Sequence, residues 1–265
     1  MSRIVKLGQV KTPTVTPGYM AYYPGFQATS DTSLKDRSGK GNDATFGSDL
    51  TTTEAWSAVA NRFSVPLGAS GTENNAANMA IAASGSAGFV WDPATESLVL
   101  ACKLTAAATA SNGPIFGTSH GQPRTGFRLE VQATTGTLRF TRMNTSTNTV
   151  VNTTTAAVAD STEHGVGFAW DAVAQRAYIY VDGVVDAAFA GGSQVTATDW
   201  FPSLNTAFCI GGVGHTSGKA ITFASAFRGI HLAKRTGALP SNAADLFRRL
   251  NQFPHVLISA TELPA

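Results

Sequence analysis

The stretch His164 to Gly183, HGVGFAWDAVAQRAYIYVDG, constrains the fold more than any other part of this 265-residue chain. It reads as two β-strands joined by a short polar turn. Aromatic and β-branched residues dominate Ala177 to Val181, the composition a half-buried pleated strand prefers. Strict alternation puts Tyr178 and Tyr180 on one sheet face, with Ile179 and Val181 on the other. Asp182-Gly183 then supplies residues that tolerate positive φ, so the next strand, from Val184, can fold straight back. An antiparallel hairpin is therefore fixed in mid-chain.

The same pattern recurs on both sides. Glu96 to Leu104 alternates so that Leu98, Leu100, Cys102 and Leu104 share a face. Gly126 to Val131 and Gly136 to Arg142 form a second hairpin around Thr134-Thr135-Gly136, with Leu138 and Phe140 opposed to Arg139 and Thr141. Val150 to Val158, rich in Thr, reads as an edge strand. One helix is predicted, Ser241 to Leu250, with a Ser or Asn cap and Leu246, Phe247 and Leu250 at helical spacing, ended by Pro254. The apolar run Val256 to Ser259 reads as a small strand that must pair, on its own sheet or on another molecule. Residues 1–18, broken by Pro13 and Pro17, read as an extended arm. The expected organisation is arm 1–18, one domain 19–253 and a tail 254–265, since a sandwich of about 200–250 residues commonly forms a single domain.

Charged residues make up 14% and the net charge is +2 with no Lys or Arg block, which excludes nucleic acid as an expected partner. No apolar run is long enough for membrane insertion. The N-terminus lacks the apolar centre of a secretory signal. Cys102 and Cys209, far apart in sequence, read as buried small hydrophobes ahead of a disulfide or a metal site.

Several segments carry a family resemblance. WDAVAQ, AYIYVDGVV and AFCIGG in that order, the loop Asp36 to Thr45 (DRSGKGNDAT), the late strand Phe227 to Ala233 and the turn Ala238 to Phe247 are together similar to the laminin-G-like branch of the concanavalin A-like lectin/glucanase superfamily. The resemblance spans roughly residues 19 to 253. It implies an all-β, antiparallel two-sheet jelly-roll sandwich with one short C-terminal helix and extended terminal arms.

That superfamily includes glycoside hydrolases, whose retaining members need two carboxylates about 5 Å apart. In this fold the resemblance implies an E-x-D-x-x-E string, and the chain has none. Glu54, Glu73, Glu96, Glu130, Glu163 and Glu262 are isolated, and the alternate neighbours of Glu130 are Arg128 and Gln132. Ser119 and His120 are adjacent on a loop, a poor arrangement for a nucleophile and its base. The expectation is that the chain is not an enzyme.

No cofactor is implied, with calcium left open at Asp36, Asn42 and Asp43. The same residues suit a pair of tight turns with Gly39 and Gly41 supplying unusual φ, and the turn reading is preferred. Carbohydrate could be held by an aromatic platform ringed with polar groups, for which Trp200, His215, His120 and Arg124 are the candidates.

Two functions follow. The first is a structural component of a viral particle, such as a phage decoration, tail or fibre protein. It would assemble in the host cytoplasm as a homo-oligomer or with other virion subunits. Its contacts would come from Val5, Leu7, Val10 and Val15 in the arm and Val256, Leu257 and Ile258 in the tail. The alternative is an adhesin module that binds host-surface glycans.

Overall fold

The structure is a computed structural model describing residues 18–25, 31–47, 50–57, 62–65, 77–79, 89–107, 112–118, 126–144, 147–195, 208–214, 220–222, 225–258 and 262. Two antiparallel sheets face one another across an apolar core. The first contains β1 (Tyr19–Tyr23), β4 (Phe63–Val65), β6 (Glu96–Ala107), β11 (Asp160–Asp171), β12 (Arg176–Val181), β13 (Val184–Val185), β14 (Ser193–Gln194) and β18 (Ser225–Thr236). Its order is β1-β18-β6-β11-β12-β13, with β4 on β18 and β14 on β12. The second contains β2 (Ser33–Leu34), β3 (Ala44–Phe46), β5 (Ala77–Met79), β7 (Gly113–Gly117), β8 (Gly126–Val131), β9 (Thr137–Asn144), β10 (Thr147–Ala157) and β15 (Phe208–Ile210). Its order is β10-β9-β8-β7-β15-β5-β3-β2, so β10 is the edge strand its Thr-rich sequence suggests. β16 (Gly212–Gly214) and β17 (Ala220–Thr222) form a separate ribbon. The all-β sandwich read from the sequence is what the chain forms.

Alternation sorts the side chains as expected. Leu98, Leu100, Cys102 and Leu104 of β6 point between the sheets, as do Ile179 and Val181 of β12. Phe127 and Phe140 of the second sheet meet Phe168 of the first, at 5.7 Å and 4.9 Å between ring centroids. Both cysteines are buried as thiols. The central hairpin runs in register from Val166 opposite Val181 to Trp170 opposite Ala177. Asp182 and Gly183 take positive φ of 50° and 80°, and β13 folds back on β12.

The first sheet is apolar on its outer face as well. Val99, Ala101, Ala169 and Tyr180 meet Leu246, Phe247 and Leu250 of the helix α2 (Ala243–Gln252) there. Glycines let the helix come close. At Gly167 a Cβ would run into the Phe247 ring, and at Gly183 it would lie 2.8 Å from the Arg248 Cα. The Phe247 ring accordingly stacks on Tyr180, centroids 4.0 Å apart.

Three local expectations need correction. The predicted cap of α2 is not made by a side chain: Asn242 forms no such bond, and the Ala243 N–H goes to the Pro240 carbonyl at 3.0 Å. A helix, α1 (Thr52–Ser57), forms besides the one predicted; the Trp56 indole N–H anchors it to the Asp31 carbonyl at 2.9 Å. Val256 to Ile258 form no strand. The Ile258 N–H donates instead to the Tyr19 hydroxyl at 2.8 Å, a side chain standing in for a ladder partner.

One carboxylate ties the two sheets together at an edge. Asp186, 5% exposed, caps the 3-10 turn Ala187–Phe189 through the Ala188 N–H at 2.9 Å. It also accepts from Thr155 N–H, Thr155 hydroxyl and Ala156 N–H on β10, at 3.0 Å each. Burial alone would raise its pKa, but these donors outweigh that and hold it below the ordinary carboxylate value. Asp186→Ala is expected to cost roughly 3 kcal/mol by stranding those donors, a Tm loss of roughly 6–12 °C by calorimetry.

Candidate functional site

The outer face of the second sheet has no helix of the described residues packed on it, and its character is set by the β8–β9 hairpin. Phe127, Leu129, Val131, Leu138 and Phe140 point into the core, so Arg128, Glu130, Arg139 and Thr141 point out. The turn between the strands uses positive φ at Thr134 (67°) and Gly136 (68°), with the Gly136 N–H on the Gln132 carbonyl at 3.1 Å. That turn fixes the register in which Glu130 lies opposite Arg139 and Arg128 opposite Thr141.

Glu130 is only 1% exposed, although it stands on the side away from the core. Its Oε1 accepts from Arg139 Nε at 2.7 Å and from the Thr141 hydroxyl at 2.9 Å, with Arg139 Nη2 at 2.6 Å. Its Oε2 lies 2.9 Å from Arg128 Nε. Two guanidiniums against one carboxylate leave the group net positive. The side chains of Arg128 and Arg139 are 11% and 17% exposed. Gly117 sits opposite Arg128 and contributes no side chain; Cys209 flanks it on β15. The result is a donor-rich surface held rigidly by a buried acid.

Sequence reasoning passed over this group. Along its own strand Glu130 has only Arg128 and Gln132 as alternate neighbours, which suit no catalytic pair. The signal lay in the cross-strand pairing of R-L-E with R-F-T, opposite charges facing across a hairpin whose turn the sequence did reveal.

The Asp36 loop closes on itself. The Asp36 Oδ1 accepts from Tyr22 N–H (2.9 Å) and Ser38 N–H (2.8 Å), and Oδ2 from the Ser38 hydroxyl (2.9 Å) and Asn42 N–H (3.0 Å). Asp43 accepts from Lys35 Nζ and Asp36 N–H at 2.8 Å each, and Asn42 Nδ2 donates to the Met20 carbonyl at 2.6 Å. Gly39 and Gly41 take φ of 87° and 75°. These are the bonds of a turn that clasps β1. Among the described residues no group of three His, Cys, Asp or Glu is placed to hold a metal ion.

Asp182 also does more than turn the chain. Its Oδ1 accepts the Gly165 N–H at 2.8 Å, and its Oδ2 lies 2.8 Å from His164 Nδ1, while Asp160 Oδ1 lies 3.1 Å from His164 Nε2. Burial would lower the His164 pKa, but the two carboxylates outweigh it and raise it.

The candidates Trp200, His215, His120 and Arg124 lie outside the described residues, as do Val5, Leu7, Val10 and Val15. Of the tail set, Val256 is 49% exposed, Leu257 packs on the outer apolar cluster and Ile258 is fully buried in it. Ile258 thus packs on its own chain, while Val256 stays accessible.

No protein-family model and no curated protein matches the chain. Solved structures do. A Trypanosoma rangeli sialidase in complex with sialic acid is 16% identical with a TM-score of 0.59, over 92% of this chain and 34% of that one. A botulinum neurotoxin type C structure, described as showing that cell entry depends on interaction with two ganglioside molecules, is 11% identical with a TM-score of 0.60, over 91% and 52%. The binding domain of botulinum neurotoxin DC in complex with rat synaptotagmin II is 11% identical with a TM-score of 0.61, over 91% and 53%. The likeness is one of fold. This chain spans about a third of the sialidase and about half of each toxin chain. The sialidases correct one expectation: the fold occurs within enzyme chains, so the missing carboxylate string is no ground for reading the chain as a non-enzyme.

Proposed function

We propose that this chain is a carbohydrate-recognition module, that it binds through the outer face of the second sheet, and that its ligands are acidic glycans. The observation that carries the reading is Glu130, an almost fully buried carboxylate on a face turned away from the core. Burying an ion pair costs desolvation that an apolar pair would not incur. Its effect here is to lock two guanidiniums in one orientation, as a pre-organised binding surface requires.

The chemistry of the ligand follows from which atoms are left. The Glu130 carboxylate is almost fully buried and its Oε1 already takes three donors, so it presents a ligand with little acceptor surface. Arg139 spends Nε and Nη2 on Glu130 and keeps further N–H donors from its set of five. A neutral sugar hydroxyl is best matched by groups that both give and take. A carboxylate or sulfate needs donors alone, in the fork geometry of a guanidinium. The fold likeness supports the same class: one neighbour is a sialidase holding sialic acid, another a toxin described with gangliosides.

The proposal extends to the four residues read from the sequence as carbohydrate contacts. His120 and Arg124 belong to the connection from β7 to β8, Trp200 to that from β14 to β15, and His215 to that from β16 to β17. They would supply aromatic stacking and further polar contacts. Membership of the laminin-G-like branch is the narrower form of the fold reading. A place in a viral particle would rest on the segment before Gly18 and on the exposed Phe253 and Val256, since Ile258 is committed to its own chain.

A glycan array probed with the whole chain tests this. Sialylated, uronic-acid and sulfated glycans are expected to bind at physiological salt, and their uncharged counterparts to be at least about tenfold weaker. Binding confined to neutral glycans would reject the acidic-ligand reading, and no binding at all would reject glycan recognition.

A further inference from the structure

A second buried polar system lies on the outer face of the first sheet. The His231 ring is fully buried and stacks on Tyr22, centroids 4.7 Å apart. Its Nε2 is 2.8 Å from the Pro254 carbonyl oxygen and its Nδ1 2.8 Å from the Tyr19 hydroxyl. A carbonyl can only accept, so Nε2 carries the proton of the neutral ring and Nδ1 accepts from Tyr19. The Tyr19 oxygen in turn accepts the Ile258 N–H at 2.8 Å. Donors and acceptors match in one direction: Ile258 to Tyr19, Tyr19 to His231, His231 to Pro254. Both ends of that relay are in the C-terminal segment.

We propose that the relay is an acid-sensitive latch: protonation of His231 releases the segment from Pro254 to Ile258 while the sandwich stays folded.

A second proton would have to go to Nδ1, turning it into a donor aimed at a hydroxyl that already accepts from Ile258. The Tyr19 proton would then lose its acceptor in a buried site, and the relay could not be satisfied in either direction. The charge itself would be unsupported. Facing it are Tyr19 and Tyr22 from β1, Arg249 from α2 and His255 from the tail, with Ala101 opposite on β6. Among the described residues, Glu262 beside this group is bound to Arg249, Oε2 to Nη2 at 2.8 Å, and Glu163, which acts on His255, is held by Arg62 and Arg228. Burial chiefly, with Arg249 and His255 adding to it and the Pro254 carbonyl opposing, holds His231 down at about 4 against an ordinary 6.5. Once the segment leaves, the ring regains its ordinary value. Because the docked pKa is the lower one, the latch is at full strength above about pH 6.5 and is lost as pH falls towards about 4. Each pH unit between those limits shifts the docked-to-released ratio by up to about tenfold. Tyr19, raised by burial, stays protonated throughout.

Hydrogen exchange on the full chain, corrected for intrinsic rates, with the His231 ring followed by NMR, reads this directly. Protection of the amides from His255 to Ile258 is expected to fall about tenfold or more between pH 6.5 and pH 4.5, while β6 and β11 stay protected. In His231→Phe the segment should be loose at every pH, with no acid step. Tyr19→Phe, a milder change, should loosen it at pH 7 and shrink the step. Glu262→Gln should keep the step, because the trigger is the imidazole. Unchanged protection in acid, a step that survives His231→Phe, or one that disappears in Glu262→Gln would each overturn the latch.

Discussion

Glu130→Ala is expected to lower folding stability by about 3–5 kcal/mol, the usual cost of removing one member of a buried ion pair. The loss does not come from a cavity. It comes from leaving the Arg128 and Arg139 guanidiniums and the Thr141 hydroxyl without the acceptor that now holds all three. Urea denaturation should show the midpoint falling with little change in slope, since the surface exposed on unfolding is the same. A companion variant separates stability from recognition. Replacing Arg128, Glu130 and Arg139 together by Met, Leu and Leu removes every charge at once, and is expected to stay within about 1 kcal/mol of the native chain. That triple variant should nonetheless lose acidic-glycan binding entirely. A stable triple variant that still bound such glycans would move the site elsewhere.

Gly167→Val is expected to do comparable damage on the other sheet. A side chain at residue 167 would enter the space of the Phe247 ring, which lies flat on Tyr180. The sheet cannot yield, because Gly167 is paired to Ala101 on one side and Tyr180 on the other. The helix must therefore lift, taking Leu246, Phe247 and Leu250 off the outer apolar cluster. Overpacking of this kind costs about 1–3 kcal/mol where neighbours adjust, and the upper end is expected here. The cycle with Phe247→Ala gives the check. Phe247→Ala alone should cost about 3 kcal/mol, yet Gly167→Val should cost much less in its background. Additive costs would show that the ring is not what Gly167 accommodates.

Much of the fold was legible because its determinants are local. Tyr178 and Tyr180 lie on the outer apolar side and Ile179 and Val181 on the inner, as a period of two demands. The Asp182-Gly183 turn and the Thr134-Thr135-Gly136 turn carry their geometry in residue type. What escaped reading depends on partners distant in sequence. Nothing near His231 announces that it bonds Tyr19, 212 positions away, and Pro254. The tail looked like a strand because its apolar run satisfies strand composition, while the groups that hold it are side chains of β1 and β18. The site was hidden for a related reason. Arg128, Glu130, Arg139 and Thr141 are ordinary outward residues until the hairpin register puts them together, and it takes the burial of Glu130 to mark them as more than a solvated face.

The most direct test of the account is calorimetric titration of the tightest acidic glycan into the native chain and into Arg139→Lys, with melting curves confirming that both are folded. Lysine keeps the charge but not the fork that contacts Glu130 and still presents N–H donors. The account predicts at least about tenfold weaker binding in the variant, about 1.4 kcal/mol, and affinity in the native chain that falls as salt rises. Equal affinity in the two folded proteins would contradict it, and would place recognition away from the outer face of the second sheet.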